Sequence, residues 1–125
     1  MQFVNVENLS QALETPILVD WCQSFLCRFR GLMFRSTLAS NRGLLLVQNR
    51  ETRTDAAIHM LFMRIDIAAV WIDSDFEVVD VQIARRWRPL YSPKAPAKYI
   101  LELAIERFDE FKLGDRIHFE HQNLD

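Results

Sequence analysis

The longest uninterrupted apolar run in the chain is Ile67-Ala68-Ala69-Val70-Trp71-Ile72. Six residues fall far short of the roughly 20 that cross a bilayer, and their composition suits a strand covered on both faces. The segment Ile58 to Met63 is nearly as apolar and predicts a second strand of the same kind. A turn at Asp73-Ser74-Asp75 and the alternation of Phe76, Val78, Val81 and Ile83 then predict a hairpin, with Phe76 to Ala84 returning along Ile67 to Ile72.

The chain has 125 residues, half of them apolar, 26% charged, with three Gly and four Pro. A chain of that size buries roughly two-thirds of its unfolded surface. One globular domain over residues 1–125 is therefore expected, with a core that needs no metal or disulfide staple. The opening Met1-Gln2-Phe3-Val4-Asn5 has neither the basic nor the apolar block of a secretory signal. A soluble, cytoplasmic protein without a membrane span is expected.

Asp20-Trp21-Cys22-Gln23 fits a capping box, and Cys22, Phe25, Leu26, Phe29, Leu32 and Met33 recur at helical spacing. A helix from Trp21 to about Gly31 is predicted, packing Phe29 against a sheet. On that helix Cys22 and Cys27 diverge by about 140°, too far for a bridge or a shared metal, so both are expected as free thiols in a reducing compartment.

The remaining expectations are strands at Met1 to Glu7, Ala12 to Val19, Gly43 to Val47, Lys98 to Leu103 and Arg116 to His121, and a short helix at Ile105 to Phe111. Gln48 to Asp55 reads as a polar loop. Trp87 to Ala97, with Pro89, Pro93 and Pro96, reads as an irregular segment of the kind that serves as a lid or ligand loop. The fold class is α+β and mostly β: a strongly bent antiparallel or mixed sheet, or a small barrel, with one or two short helices and the Trp21 helix over one opening.

The formal net charge of −2 conceals segregation. From Cys22 to Arg64 seven Arg face only Glu51 and Asp55, an excess of five, and Arg85 to Lys98 adds three Arg and two Lys without an acid. The twelve Arg against three Lys favour bidentate contact with carboxylate or phosphate. Pairing of basic with acidic segments is the competing explanation. A pI near 5.9 argues against nucleic acid as partner.

Candidate binding residues follow. Arg28, Arg30 and Arg35 flank Gly31, and Arg28 and Arg30, about 200° apart on a helix, cannot share one side. His59 is expected as a core or pocket-lining hydrogen-bond donor, Arg64 closes its strand, and Trp87 and Arg88, with Tyr91, supply an aromatic and cationic rim. No metal is expected, because His59 and Met63 would lie about 13 Å apart on a strand. Asp66 reads as a turn residue, with general base beside His59 as the alternative. No nucleophile elbow, phosphate-cradling glycine loop or zinc-protease motif occurs.

Four stretches, Arg28-Phe29-Arg30-Gly31-Leu32-Met33-Phe34-Arg35, Gly43-Leu44-Leu45-Leu46, His59-Met60-Leu61-Phe62-Met63-Arg64, and Tyr99-Ile100-Leu101-Glu102-Leu103 with Gly114-Asp115-Arg116-Ile117, occur in an order and spacing that resembles the domain-of-unknown-function 192 family, also called uncharacterised protein family 0127. The resemblance covers about Thr15 to Phe119. It implies a small, mostly β domain, often behind a signal peptide or lipid anchor, and no established activity or cofactor. The family's Pro and Asp after the His strand fall here on Asp66 and Ala68, so Asp66 stands in for the missing carboxylate if strand geometry keeps positions i and i+2 on one side.

The function expected is a non-catalytic module, monomeric or weakly dimeric and without cofactor, that binds a small anionic ligand or an acidic partner protein through Arg28, Arg30, Arg35, His59, Arg64, Trp87 and Arg88. The alternatives are a hydrolase or lyase using His59 and Asp66, and a protein-protein interaction domain.

Overall fold

In the computed structural model, which describes residues 2–122, seven strands form one mixed sheet. They are β1 (Phe3–Asn8), β2 (Ile17–Cys22), β3 (Arg42–Thr52), β4 (Ile67–Ile72), β5 (Val78–Ala84), β6 (Ala97–Ala104) and β7 (Ile117–Gln122), with a short helix α1 (Phe25–Arg30) and a 3₁₀ turn (Ile105–Glu110). The order is β5-β4-β6-β3-β2-β1-β7. Only β2 and β3 run parallel, and β4 and β5 form the expected hairpin. The sheet curls without closing as a barrel. Its two edges meet at a bridge between Glu77 and Arg116, where Val78 N–H donates to the Asp115 carbonyl and Ile117 N–H to that of Phe76, both at 2.9 Å.

Strand alternation divides the apolar side chains into two cores. Val4, Val19, Leu45, Val70, Leu101 and Ile117, from six strands, pack inside the curl. The opposite faces of β3, β4 and β6 present Leu44, Leu46, Ile67, Ala69, Trp71 and Ile100 to a second core, completed by Leu32, Ile58, Met60, Met63 and Tyr91 from irregular segments. That is why all six residues of β4 are buried. Gly43 belongs where β3 and β6 press together, since a Cβ there would stand 2.5 Å from the Glu102 carbonyl oxygen.

The segment Ile58 to Met63 is not a strand. Among the described residues its backbone bonds to other segments are the Ile58–Tyr91 bridge, two bonds of Met60, which donates to the Arg88 carbonyl and accepts from Trp87 N–H, and one of Phe62, whose carbonyl accepts from Phe34 N–H. Ile58, Met60 and Met63 cover the outer face of the sheet, Leu61 and Phe62 are exposed, and Phe62 turns the segment with φ +62°. Conversely β3 runs through the predicted loop to Thr52, its register with β6 shifting after Val47, and β2 begins only after Pro16.

The predicted helix from Trp21 is also corrected. Asp20, Trp21 and Cys22 pair with Leu44, Leu45 and Leu46 as extended backbone, and Asp20 meets Arg42 at 3.3 Å rather than capping. Ser24 caps instead, its hydroxyl accepting from Cys27 N–H at 3.2 Å. With Cys22 on a strand and Cys27 one turn into α1, their Cα atoms approach to 5.6 Å and the two form a disulfide. The free thiols expected from a continuous helix do not exist, and the argument for a reducing compartment loses its premise. Nor does α1 cover an opening: it lies outside the second core, has no buried residue, and leaves Phe25, Leu26 and Phe29 exposed. The 3₁₀ turn supplies Phe108 to the enclosed core, and Phe111 just beyond it lies within that core.

Candidate functional site

Between α1, the outer half of β3, residues 55–63 and the middle of β6 lies a cavity of about 450 Å³. Arg28, Phe29 and Arg30 come from α1, Gln48 and Arg50 from β3, Asp55 and His59 from the covering segment, and Glu102 from β6. A second cavity, about 610 Å³, lies against the other flank of α1 beside Arg35 and Arg42, and the two share Arg30, Gly31, Leu32 and Met33.

Glu102 is the anomaly. Its backbone sits opposite Leu44 and Ala69 in the centre of the sheet, so its side chain emerges on the face of the second core. It is 5% exposed. Burial pushes its carboxyl up to about 7, and no hydrogen bond or charge from the described residues counteracts this. Each of the other buried ionic groups has several hydrogen-bond partners. Asp80 accepts from Val81 N–H, Lys94 N–H and the Gln82 amide; Asp115 accepts from Asn8, Gln11 and Lys112; Arg107 holds Thr15, the Ser40 carbonyl and Glu110. Buried polar groups in folded proteins are nearly always partnered, so a lone carboxyl beside a cavity is a candidate functional group.

His59 faces the same space. Its Nε2 donates to the Phe29 carbonyl at 3.0 Å, which in the neutral ring leaves Nδ1 as an acceptor, and Nδ1 is buried without a partner among the described residues. The Arg28 guanidinium donates through Nη1 to Gln48 Oε1 at 2.9 Å, while its buried Nε has no partner. Arg50 pairs with Asp55 at 3.4 Å in solvent. Arg30 forms no ion pair among the described residues.

The structure divides the predicted binding set. Arg28, Arg30 and His59 line the first cavity, contrary to the expectation that Arg28 and Arg30 could not share a side: Arg30 is the last residue of α1, where the chain leaves the helix at Gly31, and it borders both cavities, while Arg35 lines the second. Trp87 lies on a separate exposed patch with Phe34 and Phe62, ring centroids 5.7 and 5.2 Å apart in succession. All three adopt left-handed backbone, φ +62° to +68°, which is unfavourable for aromatic residues and concentrates at functional surfaces. Arg35, Arg64 and Arg88 follow these rings by one or two positions, and Arg88 stacks on Tyr91 at 4.8 Å.

Asp66 is engaged elsewhere. It accepts from Arg86 N–H at 2.8 Å and Arg85 Nη1 at 3.2 Å, and chiefly the Arg86 N–H bond holds its carboxyl below the usual carboxylate range. It does not bond His59. Among the described residues no group of three His, Cys, Asp or Glu could hold a metal ion, and no helix is long and apolar enough to cross a membrane.

Glu102 and Gln48 were not among the residues expected at a site. The available signal was a carboxylate inside the apolar strand Tyr99-Ile100-Leu101-Glu102-Leu103, where strands buried on both faces rarely carry charge.

The sequence profile of DUF192, an uncharacterized ACR family, matches residues 6–119. The chain is 45% identical to a UPF0127 protein of Thermococcus kodakarensis over 79% of this chain and 62% of that one. It is 39% identical to one of Pyrococcus furiosus over 90% and 95%. It thus spans less than two-thirds of the first relative's length and nearly all of the second's. Two solved structures share the fold at 20% identity: a candidate transcription regulator of Sinorhizobium meliloti 1021 (TM-score 0.81, 94% of this chain and 92% of that one) and a protein of unknown function from Novosphingobium aromaticivorans (0.76, 93% and 83%). At that identity the likeness concerns the fold alone.

Proposed function

Because this chain belongs to the uncharacterized DUF192 (UPF0127) family, its function must be argued from its own cavity, and we propose that it binds a small ligand with an anionic group beneath α1 without transforming it. One observation carries this reading: Arg28 and Arg30, neither of them ion-paired among the described residues, border a cavity of about 450 Å³. Arginine suits carboxylate and phosphate through paired N–H donors, and the apolar walls from Leu32, Leu46 and Met63 suit an aliphatic or aromatic body. The acid–base alternative weakens, because Asp66 is committed to Arg85 and Arg86. The test is binding of inorganic phosphate and short carboxylates by backbone amide NMR. Binding at the cavity that weakens about tenfold in the Arg28→Ala/Arg30→Ala variant and falls with added salt supports the reading. Unchanged binding in that variant overturns it.

A second reading rests on the Phe34–Phe62–Trp87 patch, where aromatic rings and neighbouring arginines suit an acidic peptide of a partner protein. Trp87→Ala and Arg88→Glu should each reduce capture of a Glu-rich, aromatic-containing peptide while leaving ligand binding under α1 unchanged. Equal capture by both variants removes the patch from consideration.

A further inference from the structure

The anion-binding reading accounts for Arg28 and Arg30 but leaves Glu102 unexplained. A ligand that was only an anion would gain nothing from a buried carboxyl and would repel it when ionised. Glu102 is nevertheless placed at the cavity with its oxygens unbonded among the described residues. The geometry at Gly31 sharpens the point. A Cβ built there would lie 3.6 Å from Glu102 Oε1 and 3.9 Å from the Arg28 carbonyl oxygen. Two acceptors therefore border one small volume that glycine leaves open. The Gly31 N–H turns away, to the Cys27 carbonyl at 2.8 Å. The missing component is a donor, and a charged one offsets a buried carboxylate best.

Resting on the reading above, we propose that the ligand is a small zwitterion, with a primary ammonium seated on Glu102 beside Gly31 and a carboxylate or phosphate held by Arg28 and Arg30. The apolar walls between these ends fit an aliphatic linker. Glu102 sets specificity by admitting a cation where the rim alone would take any anion.

The charge balance gives the test. The ammonium pairs with ionised Glu102, so binding to the protonated form must release that proton. With the carboxyl near 7 in the empty protein, affinity should rise about tenfold from pH 6 to pH 8. The other groups facing the cavity are Arg28 and Arg30 on α1, Arg50 on β3, and Asp55 and His59 on the covering segment. Of these His59 is the one imidazole, and the Glu102→Gln variant separates the two, since it retains His59.

The full chain is titrated, by NMR, with ω-amino acids from 4-aminobutyrate to 6-aminohexanoate, with the carboxylates of equal length, with the corresponding alkylamines, and with phosphoethanolamine. Expected is an amino acid or phosphoethanolamine binding at least tenfold tighter than the matching carboxylate. The amino acids should bind more tightly at pH 8 than at pH 6, a gain abolished in Glu102→Gln. The pH profile of the unmodified protein stands even if that variant folds poorly. Carboxylates binding as well as amino acids, and more weakly as pH rises, would overturn the zwitterion and leave the anion site intact. Alkylamines binding as well as amino acids, or no probe perturbing the cavity at millimolar concentration, would overturn both.

Discussion

A methyl group placed on Gly31 would stand 3.6 Å from Oε1 of Glu102, so the end of α1 lies directly against the buried carboxyl. That spacing is ordinary contact and would tolerate alanine. The backbone would not: Gly31 has φ +49° and ψ −128°, a region that side chains with a Cβ rarely enter. Gly31→Ala should therefore destabilise by about 1 to 3 kcal/mol. Urea denaturation measures the loss, and stability equal to wild type would mean that the turn can be rebuilt without its left-handed residue.

Glu102 also predicts an unusual pH dependence. Burial raises its carboxyl from 4.5 to about 7, so across that interval the native state keeps a proton that the unfolded chain has released. Stability then falls as pH rises from about 4.5 to about 7 and levels off above, by about 3 kcal/mol in total. Glu51 and Asp66 shift the other way, the first through the Ser74 hydroxyl and the second through Arg86 N–H, and act below that interval. Glu102→Gln should lack the decline, so that wild type loses ground to it steadily between pH 5 and pH 8 in denaturant melts. Parallel pH profiles for the two proteins would place the carboxyl in water.

The Cys22–Cys27 disulfide closes a short loop, for which chain entropy gives about 2 kcal/mol. Its local effect should be larger than its global one. Helix α1 buries none of its residues and is tied down by the disulfide, the His59–Phe29 bond and the Arg28–Gln48 bond. Reduction, or Cys22→Ala/Cys27→Ala, should speed amide exchange in residues 25–31 while β3, β4 and β6 keep their protection. Uniform acceleration across the sheet would instead make the disulfide a global staple.

What was readable in the sequence follows from which forces act locally. β4 and its hairpin partner β5 were legible because six apolar residues in a row and a short Asp-Ser-Asp turn are both short-range signals. Ile58 to Met63 misled because apolarity does not report backbone shape: Ile58, Met60 and Met63 are buried against the sheet as strand residues would be, while Leu61 and Phe62 are apolar and exposed. The start of α1 misled because parallel pairing of β2 with β3, a contact between residues more than 20 positions apart, overrode the capping pattern at Asp20. That displacement of four residues also decided the cysteines. At the cavity, Arg28 and Arg30 could be picked out by type and by nearness to Gly31, and His59 by type, whereas Glu102 shows in the sequence only as a carboxylate inside an apolar strand, and its lack of partners depends on the fold.

The same displacement reverses an energetic expectation. With a helix starting at Trp21, Phe29 would be a core residue, and its loss would cost about 3 to 5 kcal/mol. As α1 lies, Phe29 is 56% exposed, its ring touching Phe25 and His59. Phe29→Ala should cost less than about 1 kcal/mol. Trp71 is the true counterpart: it is fully buried in the second core, and its indole N–H donates to the Ala56 carbonyl at 2.7 Å. Trp71→Phe keeps most of the bulk but leaves that carbonyl unbonded, at about 1 to 3 kcal/mol, and Trp71→Ala adds a cavity for a total at the upper end of the core range. Urea melts of the three variants should rank Phe29→Ala least damaging and Trp71→Ala most. A Phe29 loss matching that of Trp71→Ala would mean that α1 folds down onto the sheet in solution, closing the cavity over Glu102.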